Sequence, residues 1–363
     1  YLGDGRFALL MHYRDFKMIE DKLKSVCQLA SGYNARLPAG YHITLYGGIY
    51  RTQTAIVSDV GKMVDLAIDA EGSLNFPYDF GSFRIYNDKI HASHAQAEYI
   101  EVHMESALRN HEFQVFYQPK YNIANDAPDG CEALVRWYNP EKDDYMQPGV
   151  FIPLFEANRF IVKLDRYVYE QVCIYIEEAA SRGQRLYPVS VNVSRISAME
   201  GDFLAHYINI KKKHNIADGF LTLEFTESFA YEDYDMLREI VNTLHKNGFK
   251  CSIDDFGTGY SSYSILKQLP MDEIKLDRFF LEQGLTPDRD MKVLTSVINV
   301  ARELNMKVTQ EGVETLDQLE MLKKLGCHVI QGYHYSSPLR LSDYIEFIDR
   351  KSHNVDFVTR GRE

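Results

Sequence analysis

Six carboxylate or amide residues and one lysine stand in or just after short apolar runs, tens of positions apart: Glu132, Asn192, Glu224, Asp254, Asp255, Glu311 and Lys275. Side chains so widely spaced share chemistry only if the fold gathers them. Once gathered, carboxylates repel and raise one another's proton affinities unless a multivalent cation neutralises them. Carboxylates with an Asn carbonyl are hard oxygen donors suited to magnesium or manganese, and no convergent histidine or thiolate pattern points to zinc. One cation can recruit Glu132, Asn192, Glu224 and Asp254. A second can use Asp255 and Glu311, with Asp254 bridging a pair about 3.5–4 Å apart. That arrangement suits phosphodiester hydrolysis by activated water.

Neighbouring residues fit supporting roles. In the run Asp254 to Ser262 the glycines permit a tight loop, and Ser261 or Ser262 can cap the next helix. Glu227 can brace this loop by a hydrogen bond, although a Glu favoured at a helix N-terminus is an equally physical reading. Lys275, between Ile274 and Leu276, can position the attacking hydroxide or stabilise charge on the reacting phosphate. Glu311 can hold the nucleophile or take its proton. Gln118, Arg136 and Gln331 are candidate ligand clamps. Any one of these residues alone is explained as well by a solvated loop or a helix cap, but six strands together favour a shared site.

The elements that would gather them alternate in type. Apolar runs at Gln114–Tyr117, Ala133–Trp137, Pro188–Val193, Leu221–Phe225, Lys250–Asp254, Glu273–Leu276, Lys307–Thr309 and His328–Gln331 read as strands. Between them, Leu237, Ile240, Val241 and Leu244 form one helical face, and Val293, Leu294, Val297, Ile298, Ala301 and Leu304 another. Eight such strands with intervening helices predict a closed parallel α/β barrel, with an open doubly wound sheet as the alternative. In a barrel the site residues meet at the C-terminal strand ends. Before residue 95 the pattern is that of a smaller α/β unit, with strands at Phe7–Leu10 and Tyr41–Tyr50, turns at Gly32–Asn34 and Leu37–Gly40, and a helix from Val60 to Ala70 closed by Gly72. The expected division is 1–95, 96–350 and a tail 351–363.

Composition sets the outer limits. The 363 residues, 45% hydrophobic and 25% charged, describe an ordinary globular chain with no run long enough to span a membrane. Five scattered cysteines suggest a reducing, cytoplasmic compartment rather than a disulfide scaffold. The chain opens at Tyr1 rather than Met, which leaves room for upstream sensory or membrane segments. A formal net charge of -12 disfavours a grip on long nucleic acids but is compatible with a small anion held through cations.

Over residues 96–350 the chain resembles the EAL family of cyclic di-GMP phosphodiesterases. The motifs are Glu132-Ala133-Leu134-Val135-Arg136, Asn192-Val193-Ser194, Glu224-Phe225-Thr226-Glu227-Ser228, the Asp254 to Ser262 run, Lys275-Leu276-Asp277 and Glu311-Gly312-Val313-Glu314. Gln118-Pro119 and Gln331-Gly332 resemble its ligand-binding positions. The resemblance implies a variant TIM barrel that opens cyclic di-GMP to linear pGpG with two Mg2+ or Mn2+ ions. It implies metal roles for Glu132, Asn192, Glu224, Asp254, Asp255 and Glu311, support of water attack by Lys275 and Glu311, loop anchoring by Glu227, and assistance from Glu314. A homodimer through the barrel is also implied. Leu276 and Gln310 depart from the usual isoleucine and small residue.

The first 95 residues resemble the C-terminal part of a GGDEF, or diguanylate cyclase, domain. At the matching position they read Gly3-Asp4-Gly5-Arg6-Phe7, so Arg6 puts a cation in place of a metal-site carboxylate and no cyclase activity is expected. The alternative reading is a catalytically weak protein that binds cyclic di-GMP as a signal.

Overall fold

The computed structural model describes residues 2, 5–38, 41–52, 59–74, 82–257, 263–281 and 287–360. The chain divides into two compact units, Tyr1–Met104 and Glu105–Glu363. The expected boundary near residue 95 falls inside the helix Asp88–Arg109.

In the first unit, strands β1 (Gly47–Ile49) and β2 (Phe83–Ile85) pair in parallel. The helix Val60–Gly72 packs so closely on β1 that a Cβ on Gly48 would meet the Ala67 carbonyl oxygen at 1.7 Å. Several local expectations change here. Gly32–Asn34 is the last part of a 19-residue helix, Phe16–Asn34, whose N-cap Asp15 accepts from the Lys17 amide at 3.0 Å. Phe7–Leu10 lies outside any strand, and Tyr41–Tyr50 contributes only β1. Gly72 is the final helical residue, and the cap is Ser73 at φ −82°, so no left-handed residue is needed there. Gly3, Asp4, Ala39 and Gly40 lie outside the described residues.

The second unit is a closed ring of eight strands: β3 (Phe113–Asn122), β4 (Ala127–Asn139), β6 (Val189–Asn192), β7 (Leu221–Thr226), β8 (Lys250–Phe256), β9 (Glu273–Leu276), β10 (Lys307–Gln310) and β11 (Val329–Gln331). The short β5 (Asp144–Met146) and β12 (Leu339–Arg340) extend the sheet beside β4 and β3. The expectation of a parallel ring is corrected at one strand. β3 is antiparallel to both neighbours, β4 and β11, because residues 123–126 are too few for a crossover and can only make a hairpin.

Alternation then sorts each strand's side chains. Val189, Val191, Leu221, Leu223, Phe225, Cys251, Ile253, Ile274, Leu276 and Val308 are buried on the faces that meet the helices. The helix Tyr234–Lys246 supplies Leu237, Ile240, Val241 and Leu244 as expected. From Pro287–Glu303, Leu294, Val297, Ile298 and Ala301 are buried, whereas Val293 and the following Leu304 stay 47% and 44% exposed, on the flanks of the stripe. The apolar core therefore surrounds the barrel rather than filling it. No described helix is long and apolar enough to cross a membrane, and all five cysteines are free.

One buried carboxylate fixes the chain just beyond β6. Asp165, on the helix Ile161–Ser181, accepts from the Ser194 amide at 3.0 Å and the Ser197 hydroxyl at 2.6 Å, both through Oδ2. Burial pushes its carboxyl up to about 6, against the pull of those donors. A folded pKa above the unfolded value means that ionisation costs stability, a cost absent below about pH 4 and complete above about pH 6. Asp165→Asn keeps an acceptor and removes the charge. Its stability relative to the natural protein is expected to improve by about 3 kcal/mol between pH 4 and pH 8 in denaturant titrations. A difference that does not change with pH contradicts this assignment.

Candidate metal centre

The barrel interior is polar in two tiers. Asn192, Glu224, Asp254, Lys275 and Glu311 lie at or just beyond the ends of successive strands β6 to β10. Two residues earlier on the same faces stand Ser190, Thr222, Ser252, Glu273 and Thr309, all buried. Antiparallel β3 reverses the order: Gln118 sits opposite Glu132, and Lys120 follows it inward, opposite Gly130. Barrel interiors are ordinarily packed with branched apolar residues. This one is wired with charge instead.

Lys275 is the hub of the upper tier. Its ammonium lies 3.0 Å from Glu132 Oε2, 2.7 Å from Glu224 Oε2, 3.0 Å from Asp254 Oδ1 and 2.7 Å from Glu311 Oε1, with 1% of its side chain exposed. Gln331 Nε2 donates to Glu132 Oε2 at 2.6 Å and to Gln118 Oε1 at 3.1 Å, while Asn192 Nδ2 donates to Glu132 Oε1 at 2.6 Å. Glu132 lies inside β4 rather than just before the expected strand Ala133–Trp137, because β4 begins at Ala127. Gln331 Oε1 is buried and has no hydrogen-bond partner among the described residues.

Two overlapping groups of carboxylates could hold ions: Glu132, Glu224 and Asp254, and Asp254, Asp255 and Glu311. Within each group the candidate ligand atoms lie within 4.8 Å of one another. Adjacent residues on a strand normally face opposite ways. Here the β8–β9 register shifts between Ile253 and Phe256, and Asp255 adopts φ +54°. The irregularity turns the second carboxylate toward the first, as bulges beside active sites commonly do.

Electrostatics show which charge the site lacks. Burial works against the Lys275 ammonium, but Asp254, Glu132, Glu224 and Glu311 overcome it and hold its pKa well above the lysine range. Glu224 would be raised by burial, yet Lys120 and Lys275 bring it down to about 2. Asp254 is held well above the carboxylate range by burial, with Glu224, Glu311 and Glu132 adding to that and Lys275 opposing it. Glu311 and Asp255 are also raised, chiefly by burial. One ammonium does not satisfy this rim, and the all-oxygen donor set fits magnesium or manganese.

The remaining expected residues are placed less uniformly. Glu227 Oε2 accepts from the Gly257 amide at 2.8 Å, and Glu227 is also the first residue of the helix Glu227–Glu232. Gly257 has φ +110°, and a Cβ there would meet Phe280 Cε2 at 2.1 Å. Residues 258–262, including Ser261 and Ser262, lie outside the described residues. Arg136 is half-buried and donates to the Val135 carbonyl at 2.8 Å, four residues along β4 from Glu132. Glu314 is exposed and outside both carboxylate groups, and its amide donates to Gln318 Oε1 at the start of the helix Leu316–Leu325. Gln310 turns away from the mouth and donates to the carbonyls of Leu276, Asp277 and Glu311 at 3.0, 3.1 and 3.0 Å. The lower tier was missed. Its signal was a polar residue two positions before each of Asn192, Glu224, Asp254, Lys275 and Glu311, and, after Gln118, Lys120 two positions later.

Comparison with known proteins agrees with this geometry. The family model described as EAL domain matches residues 102–338, more than half of the chain. The chain is 31% identical over 347 residues to the Pseudomonas aeruginosa bifunctional diguanylate cyclase/cyclic di-GMP phosphodiesterase MucR, covering 93% of this chain and 49% of that one. It is 34% identical over 249 residues to cyclic di-GMP phosphodiesterase NbdA of the same organism, covering 69% of this chain and 32% of that one. It thus spans at most about half the length of these relatives. Among solved structures, the PaMucR phosphodiesterase in complex with c-di-GMP superposes with TM-score 0.64 at 33% identity, over 68% of this chain and 99% of that one. Bd1971, an EAL enzyme in its cAMP- and cyclic-di-GMP-bound form, gives TM-score 0.64 at 28% identity, over 70% of each chain. The strand order, the paired carboxylate groups and the family match agree that this chain belongs to the EAL domain family.

Proposed function

We infer that the second unit hydrolyses cyclic di-GMP to linear pGpG with two divalent cations, Mg2+ or Mn2+. The observation that carries this reading is Asp254, which belongs to both carboxylate groups and so can bridge two ions. A charge count supports it. The five carboxylates Glu132, Glu224, Asp254, Asp255 and Glu311 outnumber the two buried ammoniums beside them, Lys275 at the mouth and Lys120 beneath Glu224, and divalent ions would neutralise the excess. The relatives MucR and NbdA carry the same activity in their names.

Bound divalent ions supply Lewis acidity toward a phosphoryl oxygen and make water a usable nucleophile at neutral pH. Glu132, Asn192, Glu224 and Asp254 would hold one ion, and Asp254, Asp255 and Glu311 the other. Lys275, already among these carboxylates, is positioned to donate to charge that develops on the phosphate. Glu311, with 21% of its side chain exposed, is the most accessible of the four carboxylates that Lys275 touches, and accepts the attacking water's proton. Water oxygen bonds to phosphorus, the bond from phosphorus to the 3′ oxygen breaks, and that oxygen leaves as an alkoxide that takes a proton from solvent, giving a 5′-phosphorylated linear product with a free 3′ hydroxyl. Gln118, Arg136 and Gln331 bind the dinucleotide, with the unpaired Gln331 Oε1 awaiting a donor. Glu227 holds the start of the loop, and Glu314, from its exposed position, assists the ligand network.

Residues 1–95 we read as the C-terminal part of a degenerate GGDEF domain, residues 96–350 as the phosphodiesterase and 351–363 as a tail. The MucR alignment covers more of the chain than the second unit alone, which supports this reading. Arg6, 3.5 Å from Glu71, places a cation at the position where the cyclase motif carries a carboxylate. GTP with Mg2+ is therefore expected to yield no cyclic di-GMP, and any detectable synthesis refutes that reading. The barrel is also expected to form a homodimer. Light scattering across a concentration series checks this, and a persistent monomer counts against it.

Incubation with cyclic di-GMP and Mn2+ should generate pGpG, and EDTA should stop it. Lys275→Ala and Glu132→Ala are each expected to lower turnover by roughly 100- to 1000-fold while the barrel stays folded by circular dichroism. Tight binding of a dinucleotide that stays uncleaved with Mn2+ present would instead identify a sensor.

A further inference from the structure

Glu224 is gripped from two sides. Lys275 holds Oε2 at 2.7 Å, and Lys120 holds Oε1 at 2.7 Å from the tier beneath. Lys120 is 2% exposed, and its ammonium also reaches Ser190 Oγ at 2.7 Å and Glu273 Oε1 at 3.5 Å. Glu273 in turn accepts from Thr309 Oγ1 and lies 4.0 Å from Lys307. Lys120 thus reaches from the one antiparallel strand to three parallel ones, β6, β7 and β9. A bare ammonium on a flexible stem is costly to bury, and the cost is offset only where partners meet it in good geometry.

We propose that Lys120 is a positioning residue for the metal site: by occupying Glu224 Oε1 it fixes the carboxylate and leaves Oε2 as the single Glu224 atom presented to a cation at the mouth. The inference rests on the metal-dependent reading given above. It separates two roles with opposite signs. If Lys120 acted only as a charge, removing an ammonium from beside Glu224 would tighten cation binding. If it acts by position, the freed carboxylate turns away from the cation and binding weakens, by the 10- to 100-fold typical when the partner of a metal ligand is lost.

The test uses Lys120→Met and the doubly substituted protein Lys120→Met/Glu273→Gln, in which the lower-tier carboxylate that loses Lys120 is also neutralised. Mn2+ binding is read by electron paramagnetic resonance titration without substrate, with melting temperature measured alongside. Lys120→Met is expected to bind Mn2+ about 10- to 100-fold more weakly than the natural protein. The double variant is expected to recover thermal stability but not Mn2+ affinity. A double variant that binds Mn2+ as tightly as the natural protein, or a single variant that binds more tightly, overturns the positioning role and leaves the hydrolase reading standing. Natural protein that binds no Mn2+ and cleaves no cyclic di-GMP removes both.

Discussion

An ammonium with four carboxylates within 3.0 Å is the constraint around which the second unit is organised. Each of those ions loses several kcal/mol of hydration on entering a barrel, and only near-ideal mutual geometry offsets that loss. Lys275 comes from β9, Glu132 from β4, Glu224 from β7, Asp254 from β8, and Glu311 from the turn after β10. No local segment can assemble such a set. Asp254 and Glu311 can meet Lys275 through neighbouring strands, but the ring must close in register before Glu132, on the opposite side, reaches it. The apolar outer faces of the same strands, packed under the helices, supply the stabilisation that a polar interior forgoes.

Two departures from regular strand geometry adapt the ring to its contents. Reversing β3 lets one strand serve both tiers in the order mouth then floor, so Gln118 meets the upper residues and Lys120 the lower. The irregularity in β8 brings two consecutive aspartates to one side, which an even pleat forbids. Farther out, the close approach at Gly332, where a Cβ would meet the Val313 carbonyl oxygen at 2.2 Å, brings the Glu311 turn against the end of the strand carrying Gln331. Gln310 reinforces the same corner from behind by bonding the carbonyls of Leu276, Asp277 and Glu311.

Much of this was legible in the residues because alternation and charge are local properties. A run such as Leu221 to Phe225, with Glu224 near its end, announces both a buried strand and a residue that needs a partner. The helical faces at Leu237–Leu244 and Leu294–Ala301 are equally readable, and only their flanks, Val293 and Leu304, exceed the buried stripe. Strand direction was not readable in the same way. It depends on the length of one connection, and the four residues between Asn122 and Ala127 do not declare themselves a hairpin until the strand ends are known. In the first unit the helix Phe16–Asn34 went unseen although Phe16, Ile19, Leu23, Cys27 and Ala30 recur at three- and four-residue spacing, because the Gly32-Tyr33-Asn34 run at its end reads as a turn.

Lys120 shows what pattern reading omits. It lies in a strand whose other residues suggested ligand contact at Gln118, and a lysine two places on looks like a solvated neighbour. Reversal of β3 sends it inward, where a solvated reading is physically impossible at 2% exposure. A charge so placed must be answered, and Glu224 and Glu273 answer it. Glu224 consequently cannot be understood from the mouth alone: an ammonium lies against each of its oxygens, Lys275 from the upper tier and Lys120 from the buried tier beneath. The carboxylate at the centre of the upper tier is therefore set as much by the barrel floor as by the rim.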